Sequence, residues 1–290
     1  MDTRPFRSVL YIPGSKTRAL EKAAGLAADA IIFDLEDAVA VEEKANARAL
    51  LAQVLAETDY GPRAKLLRIN ALDSDWGRAD LEALAAVRPE AILLPKVNSA
   101  ADVAALADLL EKRPETAETR IWAMMETPLG ALNALEIARA PRMAGFVLGT
   151  NDLAKDMGCR FRADRMPLMT ALQMCLMAAR VAGIVAVDGV YNAFKDDEGL
   201  RAECEQGRDM GFDGKSLIHP AQLDIANAVF APTEAEIDLS RRQIAAFEAA
   251  QARGEGVAVV DGRIVENLHI VTARQVLDRA AAITAMQGEV

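Results

Sequence analysis

Histidine and cysteine are scarce in this chain: two of the former and three of the latter in 290 residues. Cys159, Cys175 and Cys204 are widely spaced, with no CxxC and no Cys/His pairing. Neither a disulfide framework nor a zinc site has a sequence signature here, and the thiols read as reduced. The two histidines, His219 and His269, form no clear nucleophile–base pairing, which gives little support for a Ser/His or Cys/His hydrolase. A GxGxxG fingerprint is also missing, and with it the main signal of an open dinucleotide-binding sheet. No uninterrupted apolar stretch reaches about 18 residues, and the N-terminal Asp2, Arg4 and Arg7 precede only a short apolar run. No membrane association and a cytoplasmic location are expected. Net positive charge is lacking too. A formal charge of -10 repels phosphate backbones and anionic lipid, so nucleic acid and membrane surfaces are poor partners.

What is present is a repeated phrase: a short apolar run, a polar punctuation, then an Ala/Leu-rich amphipathic segment. The runs fall at residues 8–12, 30–33, 65–69, 91–94, 121–125, 145–148, 184–187 and 214–218. Most are continuous rather than alternating, as parallel strands buried on both faces should be. Helical stretches at 16–28, 42–57, 80–86, 100–112 and 128–138 lie between them. Eight βα units without a long strand-only block predict a closed TIM (β/α)8 barrel over residues 1–230. After it come a long amphipathic helix at 233–253, a hairpin at 257–265 around Asp261-Gly262, and a last helix at 270–285. This C-terminal helical and hairpin extension, residues 231–290, is short for an independent domain. It is expected to lie over the barrel or to reach a neighbouring subunit.

In such barrels the chemistry sits at the C-terminal ends of the strands. The polar residues that follow the apolar runs are Pro13-Gly14-Ser15, Asp34-Leu35-Glu36-Asp37, Arg68 with Asn70, Pro95-Lys96, Glu126, Gly149-Thr150-Asn151-Asp152, Asp188 and His219-Pro220. Any one of these is ordinarily a solvated loop charge or a helix cap. Carboxylates gathered at one mouth repel one another and call for a cation. Without Cys or His in the set, a hard, oxygen-liganded ion fits: Mg²⁺, with Mn²⁺ as a substitute. Glu126 and Asp152, at successive strand ends, are the chosen pair of ligands. The Gly14-Ser15 turn opens a helix bearing Lys16, Arg18 and Lys22, a weak phosphate-binding signal taken alone. For His219, acid/base work and helix capping both stay open. The Met-rich run at 166–177 fits a barrel-facing helix better than a cofactor box.

Taken in order, the segment RSVLYIPG at 7–14, the DLED at 34–37, Arg68-Ile69-Asn70, Pro95-Lys96, Met125-Glu126-Thr127-Pro128 and Gly149-Thr150-Asn151-Asp152 resemble the acyl-CoA lyases related to the citrate lyase beta subunit. The resemblance runs from about residue 6 to 279. Within it, VDGVYN at 187–192 and the stretch at 197–220 look like the branch that hydrolyses malyl-CoA. The resemblance implies that Glu126 and Asp152 are the two direct Mg²⁺ ligands and that Arg68 holds the substrate carboxylate or polarises the reacting oxygen. It implies that Glu36 and Asp37 stand behind the metal waters, and that Pro13, Gly14, Arg18 and Lys22 hold the nucleotide of CoA, itself part of the substrate. It also implies a homotrimer or homohexamer whose C-terminal segment covers an adjacent subunit's site.

One position departs from the lyase pattern. Where the malyl-CoA lyases carry an Asp in the tail, this chain has Glu266, one methylene longer. Acid/base work depends on hydrogen-bond reach to the proton transferred. The substitution therefore favours attack by water on a thioester, with Glu266 as candidate base, over carbon–carbon cleavage. Retro-Claisen cleavage of malyl-CoA or citramalyl-CoA is the alternative. A subunit working only inside a carrier-protein complex is the third reading.

Overall fold

A computed structural model of the chain describes residues 4–288. One compact unit spans Phe6–Phe230 and a second is built on the segment from Ala231 onward.

The first unit alternates strands and helices. It begins with β1 (Ser8–Pro13), α1 (Thr17–Ala23), β2 (Ala30–Asp34), α2 (Lys44–Glu57), β3 (Ala64–Arg68) and α3 (Gly77–Ala85). It continues with β4 (Ala91–Leu94), α4 (Ala100–Glu111), β5 (Arg120–Met125), α5 (Pro128–Leu132) and α6 (Ala134–Ala138). Then follow β6 (Met143–Leu148), α7 (Thr150–Met157), α8 (Met169–Ala182), β7 (Val185–Asp188), α9 (Asp197–Met210), β8 (Gly214–Leu217) and α10 (Leu223–Phe230). The eight strands are parallel and close in sequence order, with β1 paired to β8. The expected (β/α)8 barrel is therefore observed.

Two apolar clusters sort the strand residues by parity. One contains Val9, Ile32, Leu66, Leu93, Trp122, Met124, Val147 and Val187, with no helical member, and fills the barrel. The other joins Leu10, Phe33, Leu67, Leu94, Met125 and Leu148 to helical residues such as Leu20, Leu51 and Leu172. Successive side chains on a strand point to opposite faces, so inward and outward positions alternate. Each fully buried Leu, Ile or Phe in these layers contributes about 1.5–3 kcal/mol relative to exposure. The Met-rich run forms a short 3-10 turn and then α8, which buries Leu172, Cys175 and Leu176 while Met166 and Met177 stay exposed. Between α5 and α6, Asn133 interrupts the single helix that the sequence pattern predicts, and the segment forms two short ones.

The second unit pairs two long helices with a hairpin. These are α11 (Glu234–Ala252), β9 (Ala258–Val260), β10 (Arg263–Val265) and α12 (Asn267–Gly288). Thr233 and Glu236 form a reciprocal capping box at the start of α11. The hairpin turns on Asp261 and Gly262, both at positive φ (49° and 75°), as the mirror-image two-residue turn requires. Phe247, Ala250, Ala258, Val265 and Ile270 make its small core.

Candidate active site

Strand parity selects which side chains reach the barrel mouth. Tyr11, Asp34, Arg68 and Glu126 each lie two residues beyond an interior residue, Val9, Ile32, Leu66 and Met124 respectively. All four therefore continue the inward face at the C-terminal ends of β1, β2, β3 and β5. The Tyr11 hydroxyl donates to Met124 Sδ at 3.3 Å, and the Arg68 guanidinium lies over the Tyr11 ring at 4.9 Å.

Arg68 is the fixed point of this cluster. Its Nε and Nη2 donate to the two Asp34 carboxylate oxygens at 2.7 and 2.6 Å, a bidentate fork. Nη1 lies 2.9 Å from Glu36 Oε2 and 3.5 Å from Asp37 Oδ2. The Glu36 contact is off the axis of any N–H, so Oε2 is buried without a hydrogen bond. Burial pushes the Glu36 carboxyl up to about 7; Arg68 opposes this, while Asp37 and Glu126 add to it. Asp37 itself is exposed.

Glu126 is only 2% exposed and accepts the Lys96 backbone N–H on Oε1 at 2.8 Å. Its Oε2 lies against Gly149, where a Cβ would come within 2.6 Å of that oxygen and 2.3 Å of Glu126 Cβ. Burial holds the Glu126 carboxyl above its ordinary value, against the Lys96 contacts. Asp152 does not end a strand: it occupies the first turn of α7, after Gly149. Its Oδ1 lies 3.4 Å from Lys96 Nζ and 3.2 Å from Lys155 Nζ, and these cations hold its carboxyl below the usual range despite partial burial.

Glu126 and Asp152 thus share one cation, Lys96. Among the described residues no group of three or more His, Cys, Asp or Glu side chains is arranged to hold a metal. The donor set is two carboxylates, one buried and one half-exposed, with a glycine clearing space beside the first and an orphaned Glu36 oxygen nearby. That combination fits Mg²⁺, which takes one or two carboxylates and fills its octahedron with water and substrate oxygens.

Pro13 ends β1, and the Gly14 N–H donates to the Asp34 carbonyl at 2.8 Å, which ties the first βα turn to the site. Arg18 and Lys22, four residues apart on α1, are exposed. Glu266 lies in the second unit; it is exposed, precedes α12, and its backbone N–H donates to His269 Nδ1 at 3.0 Å. His219 is a cap: its Nδ1 accepts from the Ala221 N–H and its ring stacks on Phe194 at 4.6 Å. Asn70 turns away to Asp80 and Lys44.

Asp188 requires a correction. The sequence reading placed it on the rim with the other carboxylates. Val187 faces the interior, so Asp188 faces outward, beneath the helical layer. There it takes Arg165 Nη1 at 2.7 Å and Lys215 Nζ at 3.2 Å, and Lys215 reaches Glu203 at 2.7 Å. Conversely, Tyr11 was missed as a site member, and Asp34 and Lys96 were noted on the rim but not chosen. Parity counted from the interior residues would have found the first two.

A region with this fold and mouth belongs to a known class. Residues 7–220 match the HpcH/HpaI aldolase/citrate lyase family, and the chain is a member of it. The chain is 66% identical over 284 residues, 98% of each protein, to a (3S)-malyl-CoA thioesterase of Cereibacter sphaeroides. It is 38% identical to the citrate lyase subunit beta of Escherichia coli, over 96% of this chain and 94% of that one. Among solved structures, the CitE protein of Mycobacterium tuberculosis in complex with magnesium, acetoacetate and coenzyme A superposes with a TM-score of 0.81. The identity there is 32%, over 96% of this chain and 99% of the other. Among the described residues no helix is long and apolar enough to cross a membrane.

Proposed function

We propose that this protein is a Mg²⁺-dependent acyl-CoA thioesterase that hydrolyses (3S)-malyl-CoA to malate and CoA. The observation that carries the reading is the 66% identity to a (3S)-malyl-CoA thioesterase along 98% of both chains.

In this reading Glu126 and Asp152 hold the ion. When bound, Mg²⁺ supplies Lewis-acid polarisation and a template for substrate oxygens. Arg68 meets the malyl carboxylate with charge-assisted hydrogen bonds; because Asp34 grips it from behind, its geometry is set before the substrate arrives. Glu36 and Asp37 accept hydrogen bonds from water at the site, and the raised Glu36 carboxyl can exchange a proton near neutral pH. Pro13, Gly14, Arg18 and Lys22 hold the CoA nucleotide on the exposed side of the first βα turn. Glu266 is the candidate base that takes a proton from the attacking water. The water oxygen bonds to the thioester carbonyl carbon, the C–S bond breaks, and the departing sulfur takes a proton to give CoA.

The chain is further read as a homo-oligomer, a trimer or hexamer, with its C-terminal extension over a neighbouring site. Exposed Val259, Ile264, Leu268 and Val271 on that extension suit a covered surface better than a solvated one. The 38% identity to a citrate lyase subunit beta supports a second reading, carbon–carbon cleavage of the same ester. Product analysis separates them. Purified protein with malyl-CoA and Mg²⁺ should release malate and free CoA; glyoxylate with acetyl-CoA would overturn the hydrolytic assignment.

A further inference from the structure

Lys96 combines features that the proposed reaction does not use. It follows Pro95 at the end of β4 and is a non-glycine residue at φ +51°, in the sparsely populated left-handed region. Such a conformation is disfavoured for a side-chain-bearing residue and persists only where the surroundings enforce it. Here it breaks the strand alternation: position 95 has the inward parity, yet position 96 addresses the mouth. The result is a residue with two separate attachments. Its backbone N–H is committed to Glu126 Oε1, and its ammonium lies 3.4 Å from Asp152 Oδ1. Glu126 is also the foremost charge that favours the ammonium, ahead of Asp152, Glu36 and Asp37.

The two cations of the mouth differ in freedom. Arg68 is 8% exposed at its side chain and is locked by the Asp34 fork. The Lys96 side chain is 46% exposed and makes a single-point contact. A lysine ammonium is a compact charge on a flexible stem, so it can swing into solvent at little cost. Its backbone contact with Glu126 survives that movement.

We propose that Lys96 is a resident counter-cation for the ion site, neutralising the Glu126–Asp152 pair while the site is empty and displaced from it when a divalent ion binds. This rests on the reading of those carboxylates as the metal ligands. Ion binding is then an exchange of an ammonium for a divalent cation as the counter-charge of the same two carboxylates. The main chain of residue 96 keeps Glu126 aimed throughout, while the side chain lowers the apparent affinity and prevents two carboxylates from repelling each other in the empty protein. Lys155, exposed and one turn further along α7, divides its charge between Asp152 and Asp156.

The test is calorimetric titration of Mg²⁺ into the full-length, metal-stripped protein, with thermal unfolding of the same samples. Lys96→Met and Lys96→Gln both keep a non-glycine backbone and the N–H to Glu126. Each should bind Mg²⁺ about fivefold more tightly, the scale of a partly exposed ion pair. Each should also unfold at lower temperature without metal and gain more from its addition. Lys96→Arg should stay near wild type on every readout. Unchanged or weaker Mg²⁺ binding in the two neutral variants would overturn the exchange. Glu126→Gln separates this from the reading beneath it. If wild-type heat of binding vanishes in Glu126→Gln, the ligand assignment holds and Lys96 is judged on its own variants. If the heat persists, the ligand assignment falls and the exchange falls with it.

Discussion

Two buried charge clusters occupy opposite sides of the same barrel wall. At β2 and β3, Asp34, Glu36 and Asp37 surround Arg68 on the inner face. At β7 and β8, Asp188 and Glu203 surround Arg165 and Lys215 on the outer face. Both place a guanidinium against buried carboxylates, with the exposed Asp37 added at the inner one. The outer cluster balances two cations with two carboxylates and lies under the helices, where its function is to tie the loop before α8 and helix α9 to the barrel. The inner cluster carries three carboxylates for one guanidinium, and each cluster leaves one buried polar atom without a hydrogen bond, Glu36 Oε2 inside and Arg165 Nη2 outside. A charge-balanced network beneath the helices is built to hold; a charge-unbalanced one at a mouth is built to receive a partner.

The comparison can be broken most decisively at Arg68. Arg68→Lys keeps the charge but loses the fork, and kcat/KM toward the acyl-CoA ester should fall about 10²–10³-fold, the scale for losing a donor aimed at developing charge. Activity within about threefold of wild type would make Arg68 a structural tie like Arg165. The matching change outside is Lys215→Met, which leaves Asp188 and Glu203 with one cation. Breaking a buried ion network should cost about 3 kcal/mol in denaturant unfolding, while the folded enzyme keeps its kcat. A large loss of kcat with unchanged stability would sink the assignment of the outer cluster to scaffold work. The smallest effect concerns pH. Glu36, raised to about 7 from 4.5, keeps a proton in the folded state that the unfolded chain releases. Stability of the metal-free protein should therefore decline as pH rises across that window. Glu36→Gln stays neutral and should flatten the decline in Tm; identical slopes would exclude Glu36 as its source.

Much of this architecture is legible in the amino-acid sequence. The eight apolar runs mark the eight strands to within one or two residues, because strands buried on both faces leave continuous hydrophobic tracts. The Asp261-Gly262 turn was readable for the same kind of local reason, while Thr233, read as the first residue of its helix, is the cap before it. The site was less complete. Glu126 and Arg68 stand at strand ends on the inward parity, and the family motifs single them out. Asp188 occupies an equivalent place in the sequence, but its neighbour Val187 faces inward and sends it to the other side of the wall. Lys96 defeats even that rule, since its left-handed backbone re-aims the chain where parity predicts otherwise. Asn133, dividing one periodic segment into two helices, likewise has no periodic signature.

Gly149 carries a consequence for how members of such a family diverge. The space beside the Glu126 carboxylate exists only because the adjoining strand end bears no side chain. A single methyl at that position would crowd the carboxylate while every charged residue of the mouth remained in place. Inactive descendants of such an enzyme can therefore look intact to any inspection that tracks only acids and bases. The informative letter is the uncharged one that precedes Thr150.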